Sequence, residues 1–198
     1  MCGIIGQRNF REPVDVEAFI ARRDAMIHRG PDGAGLHLSP DGSSALGHRR
    51  LSIIDLSDGG RQPMCNEDGT LWLTYTGEIY NYRSLRAELQ DLGHHFRSAT
   101  DSEVLLHGYE EWGQSLLPRL EGMFAFAIWD ETRASFFLAR DRFGIKPLYY
   151  TLDSKRFAFA SELKGIVGAG GVRPSPDSRS MIDFFVYRYV PSPRTIWS

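Results

Sequence analysis

With 198 residues and 42% hydrophobic side chains, the chain can form one large domain with a substantial core, or one domain and a tail. The formal net charge of −2 predicts no electrostatic affinity for nucleic acid or anionic membranes, and no apolar run approaches the roughly 18 residues of a membrane span. The chain starts without a signal-peptide pattern and has two cysteines, Cys2 and Cys65, which argue against a disulfide framework, so we expect a protein of the reducing cytoplasm.

Short strands and helices alternate in the first 112 residues. Ile4-Ile5 predicts a buried strand, and Asp15 is the predicted N-cap of a helix whose apolar residues share one face: Val16, Phe19, Ile20 and Ile27. Strands are predicted over 35–38, 45–48 and 71–76. Helices are predicted over 82–92, with Leu85, Leu89 and Leu92 on one stripe and Gly93 as the stop, and over 100–112, where Thr100 and Glu103 have capping-box spacing.

Beyond Gly122 the pattern changes to strands. Two hairpins are predicted from 123–129 with 136–139 and from 148–152 with 157–160, followed by a short helix over 161–167. The glycine- and proline-rich stretch 168–176 is typical of a linker, and 177–189 predicts an amphipathic helix with these residues on one face: Ile182, Phe185, Val186 and Tyr189. Two layers of strands covered by helices is the economical arrangement, and we expect the chain to continue beyond Ser198.

Cys2 becomes the N-terminal residue if the initiator methionine is removed. It then carries both a thiol and an α-amine, and an α-amine has an ordinary pKa of about 7.7–8.0, low enough to act as a base near neutral pH. Nucleophile and base would share one residue, as in N-terminal threonine enzymes. The first six residues alone favour the alternative, in which Cys2 is a small apolar residue that opens the strand.

Two arginines, Arg49 and Arg50, directly precede the apolar segment 51–54. The planar fork of an arginine can hold a carboxylate at two points, which suits an acidic or amino-acid ligand. A solvated strand end with both arginines outside explains the same pattern, and the residues by themselves favour it.

Two further segments could bind a ligand or serve the fold. Gly77, between Thr76 and Glu78, could free a backbone N–H to approach a ligand, and a tight turn needs the same glycine. Asp101 could bind a substrate ammonium group, or it could belong to the cap of the following helix.

Other chemistry finds no support in the sequence. The six histidines (28, 37, 48, 94, 95 and 107) show no metal-ligand spacing with the two cysteines, and no phosphate loop is present, so we expect no metal site. His94-His95 is predicted to lie on a solvated loop, and 139–147 can be interpreted as a charged surface turn.

Taken together, these segments resemble the glutamine amidotransferase domain of the N-terminal nucleophile hydrolases, above all the glutaminase half of glutamine-hydrolysing asparagine synthetases. The matching stretches follow the family's order and cover nearly the whole chain: 1–6, 28–33, 48–54, 62–64, 77–81, 101–103, 122–126, 139–150 and 160–164. Segment 190–196 resembles the family's crossing into an ATP-using synthetase domain.

The resemblance implies an α+β fold, a four-layer α/β/β/α sandwich, with a glutaminase domain over 1–170 and a linker to a synthetase domain over 171–198. It implies hydrolysis of glutamine to glutamate and ammonia, which feeds ATP-dependent amidation of aspartate. Relatives that amidate peptides, sugars or antibiotic precursors offer a second acceptor class, and a degenerate docking or regulatory domain is the third alternative. Glutamine and the synthetase domain are the implied partners, ATP and Mg²⁺ are expected only in that domain, and a homodimer stays open.

Site residues carried over by position divide into two groups. Cys2 is the implied nucleophile, and Thr76 and Gly77 occupy the oxyanion-hole positions. The implied glutamine-binding residues are Arg50, Leu51, Ser52, Ile53, Ile54, Thr76, Gly77, Glu78 and Asp101. Thr76 stands where the family usually has asparagine, so we expect a weaker oxyanion hole. We also expect the active species to begin at Cys2.

Overall fold

The computed structural model describes residues 1–52 and 58–197, and in this range two antiparallel sheets lie face to face. The first sheet contains β1 (Gly3–Asn9), β2 (Gly33–Leu38), β3 (Ser44–Arg50), β8 (Tyr149–Leu152) and β9 (Arg156–Ala160), in the order β2-β3-β1-β9-β8. The second contains β4 (Met64–Cys65), β5 (Leu71–Ile79), β6 (Gly122–Asp130) and β7 (Ser135–Arg140), in the order β4-β5-β6-β7.

Helices cover the outer faces of both sheets. On the first sheet lie α1 (Val16–Asp24) and α4 (Leu163–Ile166), and on the second lie α2 (Tyr82–Asp91) and α3 (Ser102–Trp112). Two 3-10 helices, Asp58–Gly60 and Gly113–Arg119, and a last helix, α5 (Ser178–Tyr187), complete the elements. None of the helices in the described ranges has the length and apolarity that a membrane span needs.

The residue pair Ile4-Ile5 explains why the first sheet is covered on both faces. Successive side chains of a strand point to opposite faces of the sheet, so an apolar pair requires both faces to be covered. Ile4 packs between the sheets against Trp129 and Phe159, whereas Ile5 packs against Phe19 on the helical side, and both isoleucines are fully buried. The predicted four-layer α/β/β/α arrangement is confirmed.

Several helix boundaries differ from the sequence prediction. Asp15 caps α1 as predicted, by accepting a hydrogen bond from the Ala18 N–H at 3.0 Å, but the helix ends at Asp24 and Ile27 is 52% exposed. Leu92 is also 52% exposed, because α2 ends one residue earlier. Residues 161–167 form only the four-residue helix α4.

The capping box predicted at Thr100 and Glu103 is wrong. The Glu103 carboxylate reaches back to the loop before the helix, where it accepts hydrogen bonds from the backbone N–H of Arg97 at 3.0 Å and of Ser98 at 2.7 Å. The Thr100 N–H donates to the Ser98 hydroxyl instead. The carboxylate therefore orders residues 97–98 and leaves the N-terminus of α3 without a side-chain cap.

The amphipathic helix predicted near the C-terminus is present as α5. Its apolar face is exposed in the described chain, and Ile182, Phe185 and Val186 each have more than 60% of their surface accessible. The helix ends at Tyr187, so Tyr189, which is equally exposed, lies beyond it and not on its face as predicted. The proposed division at residue 170 stays a prediction.

Candidate active site

A cavity of about 210 Å³ opens where the start of β1, the end of β3 and the end of β5 meet. Eight of the ten site residues predicted from the sequence line it: Cys2, Arg50, Leu51, Ser52, Thr76, Gly77, Glu78 and Asp101. The other two, Ile53 and Ile54, lie outside the described residues. Strand pairing explains why these residues lie together. Gly3 pairs with Arg49 in the first sheet, and β5 of the second sheet contacts both β1 and β3.

Cys2 is half-buried beside the cavity, and its sulfur contacts the chain that follows β3. The backbone N–H of Leu51 points to Cys2 Sγ at 3.3 Å. The Cys2 carbonyl oxygen accepts two long-range hydrogen bonds, from Arg29 Nε at 3.1 Å and from Thr76 Oγ1 at 3.0 Å. The sulfur and the carbonyl group of Cys2 are therefore both held in place by hydrogen bonds. Neither Cys2 nor Cys65 is part of a disulfide.

Arg29 connects Cys2 to Glu162, and neither Arg29 nor Glu162 had a role predicted from the sequence. Arg29 Nη1 lies 3.2 Å from Glu162 Oε1, and His28 and Lys164 contact the same carboxylate at 2.9 and 3.1 Å. Burial by itself would raise the pKa of Glu162, but the hydrogen bonds from His28, Lys164 and Arg29 outweigh it and lower that pKa to about 2. The motifs at 28–33 and 160–164 therefore form one ionic cluster behind the cysteine.

The adjacent arginines have different surroundings. Arg49 is 7% exposed and donates to the Gly30 carbonyl at 3.0 Å and to Asp24 Oδ1 at 3.3 Å, so the interpretation of both arginines as solvated is wrong. Arg50 lies in the cavity wall. Asp32 fixes the backbone on either side of Leu51, because its N–H donates to the Arg50 carbonyl and its carboxylate accepts from the Ser52 N–H at 2.8 Å.

Asp101 is buried in the opposite wall of the cavity and does not cap its helix. Its Oδ2 accepts hydrogen bonds from the Tyr75 hydroxyl at 2.6 Å and from the Ile79 N–H at 2.9 Å. Burial raises the pKa of Asp101 more than these hydrogen bonds lower it. Burial also raises the pKa of Tyr75 well above its ordinary value, and the neighbouring Asp101 charge adds to the effect, so this phenol stays protonated as the donor.

Gly77 lies in β5, which continues to Ile79 and does not stop at Thr76 as predicted. A Cβ at residue 77 would collide with the Met123 carbonyl oxygen and would lie 2.7 Å from Phe124 Cα. The close approach of β6 therefore requires glycine at this position. The neighbouring Thr76 hydroxyl is directed at the Cys2 carbonyl.

His48 and Gln62 are buried polar residues of the cavity wall that were not predicted as site residues. His48 is fully buried, and its Nε2 donates to the Tyr75 carbonyl at 3.1 Å. Burial is the main reason why the pKa of His48 falls to about 4, so the ring is neutral at physiological pH. Gln62 accepts from the Tyr75 N–H at 2.6 Å and donates to the Ser102 hydroxyl at 3.1 Å, which connects β5 to α3.

The interpretation of 139–147 as a charged surface turn is wrong for two of its residues. Asp141 is 5% exposed and accepts hydrogen bonds from the backbone N–H of Ile145 at 2.9 Å and of Lys146 at 3.0 Å. The turn folds around this carboxylate and brings Lys146 into the cavity wall, where its Nζ lies 2.8 Å from Met1 Sδ. Alternating charges in this segment gave no signal for such an inward orientation.

Comparisons with known proteins agree with this geometry. The family model of the glutamine amidotransferase domain matches residues 1–198. Asparagine synthetase [glutamine-hydrolyzing] 1 of Bacillus subtilis is 41% identical over 200 residues, which cover 99% of this chain and 31% of that protein. Amidase chry2 of Gibberella zeae is 40% identical over 168 residues, which cover 85% of this chain and 25% of that protein.

A solved structure supports the fold. Glutamine phosphoribosylpyrophosphate amidotransferase from B. subtilis, complexed with ADP and GMP, superposes with a TM-score of 0.71 at 23% identity, over 85% of this chain and 44% of that one. The predicted α+β sandwich is thereby confirmed as the fold. This chain spans less than a third of the length of the two relatives named above. It belongs to the glutamine amidotransferase domain family, whose members in glutamine-hydrolysing asparagine synthetases it resembles along nearly its whole length.

Proposed function

We propose that this chain hydrolyses glutamine to glutamate and ammonia, with Cys2 as the nucleophile. The observation that carries the proposal is the position of the Cys2 thiol beside a cavity with Arg50 and Asp101 in its walls. A free amino acid presents a carboxylate and an ammonium group at a fixed separation, and a cation and an anion in one cavity match that pattern. Arg50 binds the α-carboxylate and Asp101 receives the α-ammonium group.

In the proposed reaction, the Cys2 α-amine takes the thiol proton and the sulfur attacks the side-chain amide carbon of glutamine. A C–S bond forms, and the carbonyl electron pair moves to oxygen, where the Gly77 N–H stabilises the oxyanion. The amide nitrogen takes the proton from the ammonium group of Cys2, the C–N bond breaks and ammonia leaves. Water then attacks the thioester, which gives glutamate and restores the thiol.

The proposed chemistry requires removal of Met1. A peptide nitrogen at Cys2 has no basic lone pair, so the base is absent as long as Met1 is attached. The Met1 side chain also contributes to the cavity wall. Removal would therefore both create the base and enlarge the site.

We further propose that the ammonia serves the amidation of aspartate by a synthetase domain that uses ATP and Mg²⁺, connected through residues 171–198. The name of the Bacillus relative supports aspartate as the acceptor. The name of the Gibberella relative, an amidase, does not specify asparagine formation, so another acceptor is the second candidate. Product analysis on the full-length protein, supplied with glutamine, ATP and either aspartate or alternative acceptors, separates the two.

Ammonia release from glutamine tests the glutaminase itself. The protein should be prepared with a cleavable tag whose protease cuts directly before Cys2, and compared with protein that retains Met1 and with Cys2→Ala. We expect ammonia only from the first preparation, and a thiol-alkylating glutamine analogue should abolish it. A folded protein that begins at Cys2 and releases no ammonia would instead support a non-catalytic docking or regulatory domain.

A further inference from the structure

A cluster of histidine and glutamate side chains lies outside the cavity, where the end of α2 meets the middle of α3. His107 and Glu110 are one turn apart on α3, and His94 follows α2. The end of α2 places His94 firmly, because the Gly93 N–H donates to the Gln90 carbonyl and the His94 N–H donates to the Leu89 carbonyl, both at 3.0 Å. This is the Schellman arrangement, and Gly93 provides its positive φ of 100°.

The histidine rings converge on one carboxylate oxygen. Glu110 Oε2 lies 3.5 Å from His107 Nδ1 and 3.8 Å from His94 Nδ1, and the three ligand atoms of this group all lie within 4.8 Å of one another. Both contacts are longer than the roughly 2.7–3.2 Å of a normal N–H···O hydrogen bond. Ligand atoms about 2.0–2.2 Å from a tetrahedral zinc ion are themselves roughly 3.3–3.5 Å apart, so small side-chain movements would complete such a site.

Neighbouring groups hold these side chains as the outer contacts of a metal site do. Glu111 Oε2 lies 3.2 Å from His94 Nε2, so that a carboxylate faces one ring nitrogen while the other faces the cluster. Asn66 Nδ2 donates to the second oxygen of Glu110 at 3.2 Å. The Phe96 ring packs edge-on against the His107 ring with centroids 4.8 Å apart, and the His107 side chain is only 3% exposed.

We propose that His94, His107 and Glu110 bind one zinc ion. Two imidazole nitrogens and one carboxylate oxygen form a donor set that zinc accepts, whereas calcium and magnesium prefer oxygen alone. Glu67 Oε2 lies 3.9 Å from His107 Nδ1 and its side chain is 41% exposed, so it can turn toward the ion as the fourth ligand, or water takes that position. The ion would join the end of α2 to α3, the helix whose N-terminal end lies beside the cavity. The spacing of the histidines relative to the cysteines gave no sign of this site, because its ligands are two histidines and a glutamate, from α3 and from the residues after α2.

Zinc binding can be measured with tag-free protein carrying Cys2→Ser, because a terminal cysteine with a free amine would itself chelate zinc. Competition with a chromophoric chelator gives the stoichiometry and affinity, and Co²⁺ in place of Zn²⁺ gives a tetrahedral absorption spectrum. The informative variants are His94→Ala and Glu110→Gln, and both leave the buried His107 in place. The His94 ring is partly exposed, and glutamine is isosteric with glutamate. His95→Ala is the matched control, because His95 is exposed and adjacent to His94 but does not belong to the cluster.

We expect one equivalent of zinc per chain, at least about tenfold weaker binding in His94→Ala and in Glu110→Gln, and parent-like affinity in His95→Ala. Zinc should also raise the melting temperature of the parent and of His95→Ala, but not that of the two cluster variants, because an ion that binds only the folded state stabilises it. The proposal fails if the parent shows no saturable single site. It fails equally if either folded cluster variant binds zinc as tightly as the parent.

Discussion

The hydroxyl of Thr76 donates a hydrogen bond to the carbonyl oxygen of Cys2 at 3.0 Å, across 74 residues of sequence. The bond connects β5 to the start of β1 directly beside the cavity. The hydroxyl is thus directed at the Cys2 backbone, and threonine has no second polar group to offer to an oxyanion. An asparagine here would be longer and would carry two donors on its amide nitrogen.

Thr76→Asn should therefore increase glutamine turnover. A single oxyanion-hole donor is worth about 10²–10³ in kcat, and even partial recovery should raise kcat about tenfold with little change in KM. Arg29 continues to hold the Cys2 carbonyl in this variant. Thr76→Val, which keeps the shape and removes the hydroxyl, is the control and should show no increase. An unchanged or lower kcat in folded Thr76→Asn would contradict the idea of a weakened oxyanion hole.

Replacement of Arg50 should affect substrate binding, whereas replacement of its neighbour Arg49 should affect the stability of the fold. Arg50→Met should lower kcat/KM mainly through KM, by about thirtyfold or more, because loss of one partner of a desolvated charge pair costs about 2–5 kcal/mol. Arg49→Met should leave KM nearly unchanged and lower the free energy of unfolding by about 1–3 kcal/mol, because the buried Gly30 carbonyl loses its donor. Glutaminase kinetics and urea unfolding of both variants measure the two effects. Similar KM values in the two variants would refute the assignment of Arg50 to the substrate carboxylate.

Local patterns predicted most of the elements because their causes lie within a few residues. Asp15 caps its helix through Ala18, and Gly93 ends the next helix through Gln90. The interpretation of Asp101 as a capping residue was wrong because its partners come from β5, 22 and 26 residues away in sequence.

The resemblance identified cavity residues that no local pattern could identify, but not the residues that support them. Arg29 and Lys146 occur in matching segments, yet the sequence gives no indication that one contacts the Cys2 carbonyl and the other lines the cavity. Contacts of this kind depend on how the two sheets pack, and that information is absent from periodicity and spacing.

His48 should make the stability of the fold depend on pH. Its pKa is about 4 in the folded protein against an ordinary 6.5, so between these values the unfolded chain binds a proton that the folded one does not. The contribution of the neutral ring is complete above pH 6.5 and is lost as the pH falls toward 4, by up to about 3 kcal/mol. Urea unfolding near pH 7.5 and about pH 4.5 should show a larger loss for the wild type than for His48→Gln, which keeps a donor for the Tyr75 carbonyl. Equal losses in the two proteins would exclude His48 as the cause.

Lys146 should set the pH range in which the mature enzyme works. Lys146 is 4% exposed and lines the same cavity as Cys2, and its Nζ contacts Met1 Sδ, so removal of Met1 would leave the ammonium in the cavity that contains the new amine of Cys2. A nearby positive charge favours the unprotonated amine, which is the form that acts as the base. Lys146→Met should therefore move the acid limb of the kcat/KM profile upward by about one pH unit, the size expected for two charges that share a partly screened cavity. Activity lost at neutral pH should return near about pH 9, and Lys146→Arg should keep the original profile because it keeps the charge. A uniform loss of activity at every pH would show that Lys146 acts through packing and not through its charge.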